Sequence, residues 1–182
     1  MSRTGSAVKG RKDEAGFTLI ELLIVVAIIG IIASIGIASV MRARVTANET
    51  AALSTMRAIN GAQTSYATGA GLGGFATTLT ILATPCLGST IGFISPDLDP
   101  SRPGVTVSGA TGVVKSGYII DLAGNGIMGV PDCNGTPTEA DYAATAVPLT
   151  IGVTGVRGFN TSGAGTVYFD PSGLPTGNMP LQ

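Results

Sequence analysis

The chain offers few side chains that do chemistry. Its 182 residues include no histidine, which removes the usual general base and the commonest metal ligand. Serines and threonines are plentiful, but none stands in a nucleophile–base pattern, and Lys115 has no motif around it. An enzyme is not the expected class. Three constellations remain. The first is a lone carboxylate, Glu21, in the stretch Gly16-Phe17-Thr18-Leu19-Ile20-Glu21, at the mouth of an apolar run. A carboxylate in an apolar membrane segment is costly unless it is paired. The second is Cys86 and Cys133, the only two cysteines. An even pair in an exported domain suggests a disulfide, which contributes roughly 3–4 kcal/mol by the chain-entropy estimate. Two buried free thiols are the alternative. The third is Asp121-Leu-Ala-Gly-Asn125-Gly-Ile-Met-Gly-Val-Pro-Asp132, which partly echoes a calcium loop. Asp121, Asn125 and Asp132 are its candidate ligands. The echo is incomplete: Ala123 stands where an oxygen ligand belongs, the last ligand should be Glu, and Asn-Gly is an ordinary turn. The expectation is no metal and no cofactor.

The elements that position these residues begin with the run itself. Leu22 to Met41 contains no charge, and at helical rise it spans roughly 30 Å, the thickness of a bilayer core. A buried core helix would show a polar face, whereas here only Ser34 and Ser39 are polar. Arg3, Lys9, Arg11 and Lys12 precede the run, and Arg42 and Arg44 follow it. The larger basic cluster puts the N-terminus in the cytoplasm and the remainder outside. A secretory signal would be shorter and would end in a small-residue cleavage site, so the run reads as an anchor that stays. Gly30, Ser34 and Gly36, with Ala33 and Ala38, give it a small-residue surface for helix packing. Residues 1–16 carry +2 (four basic, two acidic) and the remainder −3 (six basic, nine acidic). No basic patch follows residue 57, so no nucleic-acid partner is expected.

The helical pattern continues past the run. Val45, Ala52, Met56, Ile59, Gln63 and Tyr66, with Leu53 beside them, form a narrow stripe, and Arg44, Asn48, Thr55 and Arg57 fall elsewhere. This predicts a helix to about Ala67, broken by Gly69, Gly71, Gly73 and Gly74. Residues 68–102 read as a Gly- and Thr-rich loop with a helical turn near Thr78 to Leu82. Strands are expected at Val105 to Ser108, Val113 to Leu122, Tyr142 to Val147, Val156 to Phe159 and Thr166 to Phe169, with a hairpin turn at 161–165. The fold class is α+β: a long N-terminal helix, membrane half plus amphipathic half, packed on a C-terminal antiparallel sheet.

Gly16-Phe17-Thr18-Leu19-Ile20-Glu21 and the run behind it closely resemble the leader and N-terminal helix of type IV pilins and of type II secretion pseudopilins. Lys115-Ser116-Gly117-Tyr118, Tyr142-Ala143-Ala144-Thr145-Ala146-Val147-Pro148 and Thr154-Gly155-Val156-Arg157-Gly158-Phe159 are similar to sheet segments of a bacterial pilin-like subgroup. The resemblance implies that a prepilin peptidase cuts between Gly16 and Phe17 and that Phe17 is N-methylated. It implies that Glu21 serves filament assembly by meeting the new amine of another copy. It divides the chain into a leader (1–16), a membrane half-helix (17–41), an amphipathic half-helix (42–68) and an exported domain (69–182). The implied partners are membrane lipid before assembly, the inner-membrane pilus or secretion machinery, and other copies of the chain in a helical filament. The implied location is the inner membrane as precursor, then a cell-surface pilus or a periplasmic pseudopilus. A type II pseudopilin, or an anchored exported binding domain that never polymerises, are the alternatives. The sequence departs from the family pattern twice. It has no proline near Ala38, where Gly30 and Gly36 are the local weak points of the helix, and Asp13 and Glu14 stand where a basic residue is common.

Overall fold

The computed structural model describes residues 16–181. All of the expected leader except Gly16 lies outside them. The chain divides into two compact units, one ending at Val40 and the other beginning at Met41. Helix α1, Leu19–Gly69, contributes to both.

The first unit is the apolar part of α1. Its most apolar 18-residue stretch has a mean hydropathy of 2.8, and none of it is buried. Length and composition suffice to cross a membrane. The helix meets no side-chain partner at Gly30 or Gly36. The Ser34 hydroxyl donates back to the Ile31 carbonyl at 2.8 Å, which satisfies it within the helix.

The second unit is a helix on a sheet. Ala52, Met56, Ile59, Gln63 and Tyr66 of α1 are buried, as the stripe predicts. Fully burying side chains such as Met56 and Ile59 stabilises by about 1.5–3 kcal/mol each. The helix ends at Gly69, two residues past the expected Ala67. The backbone N–H groups of Ala70 and Gly71 both donate to the Tyr66 carbonyl at 2.8 Å. A Cβ on Gly71 would sit 2.2 Å from the Gly74 carbonyl oxygen, so only glycine allows the chain to fold back there. The expected helical turn is α2, Leu79–Ala83, whose Ile81 N–H is capped by the Thr78 hydroxyl at 3.3 Å. A 3-10 turn follows at Pro96–Leu98.

Among the described residues, seven strands form one sheet in chain order, every neighbour antiparallel. They are β1 Val107–Ser108, β2 Gly112–Lys115, β3 Tyr118–Pro131, β4 Pro137–Pro148, β5 Gly158–Ser162, β6 Val167–Asp170 and β7 Met179–Pro180. Alternate residues Tyr118, Ile120 and Leu122 of β3, Tyr142, Ala144 and Ala146 of β4, and Phe159 of β5 join the helix stripe in one core. This is the expected α+β, pilin-like arrangement.

Besides shifted strand ends and the additional short β7, the strands differ from expectation in two places. The run Val113 to Leu122 is not one strand. It is a hairpin turning at Ser116 (φ 50°) and Gly117 (φ 74°), with Lys115 opposite Tyr118. Two positive φ values make the two-residue turn whose twist suits a hairpin. The stretch after Leu122 is not a loop. It continues β3 to Pro131, paired with β4, with register shifts after Asn125 that absorb its glycines. The expected turn at 161–165 is present, closed by Gly165 N–H to the Ser162 carbonyl at 2.8 Å.

Candidate processing and assembly site

Gly16, Phe17 and Thr18 lie outside any helix or strand and are exposed, and α1 starts at Leu19. The start is fixed by a reciprocal cap. The Glu21 N–H donates to the Thr18 hydroxyl oxygen at 3.3 Å. Glu21 Oε2 accepts from the Thr18 N–H at 3.0 Å and from its hydroxyl at 2.8 Å. This is a capping box: residue and glutamate three apart satisfy helix donors that have no partner in the first turn. The cap holds the helix off the two residues before it. A side chain at Gly16 would meet nothing and Phe17 is 84 % exposed, so the bond between them lies exposed ahead of the helix. The sequence signal for this cap, absent from the expectations above, is the Thr-x-x-Glu spacing ahead of an apolar run.

The three small residues do not share one face. At about 100° per residue, Gly30 and Ser34 lie roughly 40° apart, while Gly36 lies roughly 120–160° around the helix from them. A close helix approach can use the first pair or Gly36, not all three together.

Polar side chains of α1 tie the second unit together. Glu49 is only 7 % exposed. Its Oε1 accepts the N–H groups of Val156 (2.9 Å) and Arg157 (3.1 Å), and its Oε2 accepts Arg157 Nε (2.9 Å) and Nη2 (2.7 Å). Burial alone would raise this carboxyl. The Val156 N–H and the Arg157 side chain and N–H outweigh it and hold the pKa below the ordinary glutamate value. The guanidinium lies 6.0 Å from the Phe159 ring centre and 5.8 Å from that of Phe169. Asn48, expected off the packed face, donates to the Thr154 carbonyl at 2.9 Å, and Thr55 is buried. Farther along, Asn60 Oδ1 accepts from the Tyr142 and Thr161 hydroxyls, and Gln63 exchanges two hydrogen bonds with the backbone of Ala76. Burial, then Asp141, pushes the Tyr142 phenol up to about 12.

The calcium candidates are used otherwise. Asp121 and Asn125 lie within β3 rather than in a loop. Asp121 Oδ1 accepts from the Thr111 hydroxyl and from the Leu122 N–H. Asp132 Oδ2 accepts from the Tyr66 hydroxyl at 2.7 Å, and its Oδ1 from the N–H groups of Asn134 and Thr136. Burial, together with Asp132, drives the Tyr66 phenol well above its ordinary range. Among the described residues no three His, Cys, Asp or Glu side chains converge as a metal site. Beside Asp132, Cys133 is disulfide-bonded to Cys86, their Cα atoms 5.6 Å apart. The bond fastens the Gly-rich segment to the β3–β4 turn.

A model of the prokaryotic N-terminal methylation motif matches residues 11–37. No curated protein and no solved structure matches the chain. The matched residues span Gly16, Phe17, the Thr18–Glu21 cap and most of the apolar run. The match supports a type IV pilin or pseudopilin family member. Residues 11–37 therefore carry the cleavage and methylation motif of prepilins and pseudopilins.

Proposed function

We propose that the chain is a structural subunit of a type IV pilus-like filament. The methylation motif over residues 11–37 carries this reading. Prepilin peptidase cuts between Gly16 and Phe17, in the exposed segment ahead of the capped helix, and Phe17 is N-methylated. The cut leaves the Thr18 N–H and hydroxyl in place, so Glu21 keeps its local partners. It also creates a cationic amine four residues from Glu21. In a bundle of staggered parallel helices, the amine of one copy meets Glu21 of another. Pairing removes the cost of an isolated carboxylate in an apolar environment. Residues 17–41 form the membrane anchor and later the filament core. Residues 42–68 fasten the exported domain, 69–182, to that core.

Electron microscopy of sheared cell-surface filaments, with peptide identification, tests this. Peptides of the exported domain in the filaments are expected. Processed chain retained in the cell envelope, with none in sheared filaments, would move it to a periplasmic pseudopilus. An unprocessed chain in the membrane would mean an anchored domain that does not polymerise.

A further inference from the structure

The second unit exposes an apolar patch at one end. Between β4 and β5, Leu149, Ile151, Val153 and Val156 are 50, 55, 53 and 44 % exposed. The loop that carries them is firmly held: Asn48 grips the Thr154 carbonyl, Glu49 takes two of its N–H groups, and the Leu149 N–H donates to the Gly117 carbonyl at 2.9 Å. Gly155 lets it pack, since a Cβ there would lie 2.0 Å from the Tyr118 hydroxyl. Four exposed apolar side chains within eight residues of a fixed loop mark a candidate contact site. Its position along the chain says with what. Gly152 and Val156 line a groove of about 330 Å³ with Met41, Arg42, Val45 and Thr46. Met41 is the last residue of the charge-free run, and Val45 is about 6 Å of helix rise beyond it. The headgroup layer on each side of a bilayer core is roughly 5–8 Å deep. Residues 149–156 carry no charge, and the adjacent helix carries Arg42 and Arg44 with no acid before Glu49. Apolar side chains beside basic ones fit the boundary between acyl chains and anionic headgroups.

We propose that loop 149–156, with Met41 and Val45, is a foot that seats the exported domain on the outer surface of the membrane before assembly. This rests on the membrane-anchored reading above. The full chain, reconstituted in dilute phosphatidylethanolamine–phosphatidylglycerol vesicles, tests it with an environment-sensitive fluorophore on single added cysteines. Labelling without reductant spares the Cys86–Cys133 pair. The probed variants are Val153→Cys and, independently, Leu149→Cys. Ala164→Cys serves as the water reference, in an exposed turn held through Gly165 by Asn60, about four helical turns beyond Val45 in α1. Ile29→Cys serves as the membrane reference. Both foot probes are expected to show blue-shifted emission and several-fold stronger quenching by headgroup-proximal nitroxide lipid than the Ala164 probe. Foot probes that match Ala164 while Ile29 reports lipid would overturn the foot and leave the anchor standing. Shielding that grows with protein-to-lipid ratio and ignores the nitroxide lipid would assign the patch to a second copy and overturn it too. An Ile29 probe in water would overturn the anchored reading, and the foot with it.

Discussion

Helix α1 carries two glutamates, and they belong to different kinds of structure. Glu49 sits in the folded unit, buried, with four hydrogen bonds from a loop more than a hundred residues away in sequence. Glu21 sits at the head of an exposed apolar helix, and among the described residues its hydrogen bonds are all with Thr18. The first is complete within one chain. The second is satisfied as a helix cap, yet its surroundings are built for lipid or for other helices. A carboxylate finished by its own fold serves stability, and one left at the edge of an unpartnered apolar surface is available for assembly. Substitution should separate the two.

The largest effect is expected at Glu21. Glu21→Gln keeps an oxygen for Thr18 but removes the charge. It should abolish sheared filaments while leaving the melting of the exported domain unchanged. Filaments at normal yield would place Glu21 with Glu49, as a structural group only. In the folded unit, Cys86→Ser with Cys133→Ser opens a link spanning 47 residues. The chain-entropy estimate puts its loss at about 4 kcal/mol, read as a lower denaturant midpoint. Arg157→Ala strips Glu49 of two of its four bonds and leaves it buried. A cost of about 3 kcal/mol is expected, with the β4–β5 loop losing hydrogen-exchange protection.

The same carboxylate has a pH signature. Its folded pKa is lowered, so its stabilisation is fully present above the unfolded glutamate value of about 4.3 and is lost as pH falls through the lower folded value. Denaturation curves at stepped pH should show the wild type's advantage over Glu49→Gln shrinking only below about pH 4. The smallest effect is Thr18→Ala. It removes the cap's hydroxyl but not the charge, and should cost about 1 kcal/mol of helix stability, seen as fraying at residues 19–22 in amide exchange, with assembly retained.

Much of this was legible where the cause is local. A charge-free run, a stripe at helical spacing, glycines after Ala67 and a Thr-Ser-Gly turn each act within a few residues, and the corresponding elements are present. The helical turn near Thr78 shows itself through a single capping hydroxyl. The failures have two sources. Some local signals were outvoted: Ser116-Gly117 is a turn inside a run of strand formers, and Thr18-x-x-Glu21 is a cap inside a motif read for its charge. The others are non-local. Nothing near Glu49 announces Arg157, and nothing near Asp132 announces Tyr66, because such pairs form only once the sheet is laid on the helix. The glycines of 124–129 suggest a loop until β4 supplies the partner that keeps them in strand.

In the proposed function, cleavage between Gly16 and Phe17 comes first and Glu21 acts in assembly after it. The most direct measurement is the mass of the mature N-terminus. A pilin-like subunit should give a chain beginning at Phe17 and carrying one N-methyl group, and an intact N-terminus at Met1 or Ser2 would contradict that function.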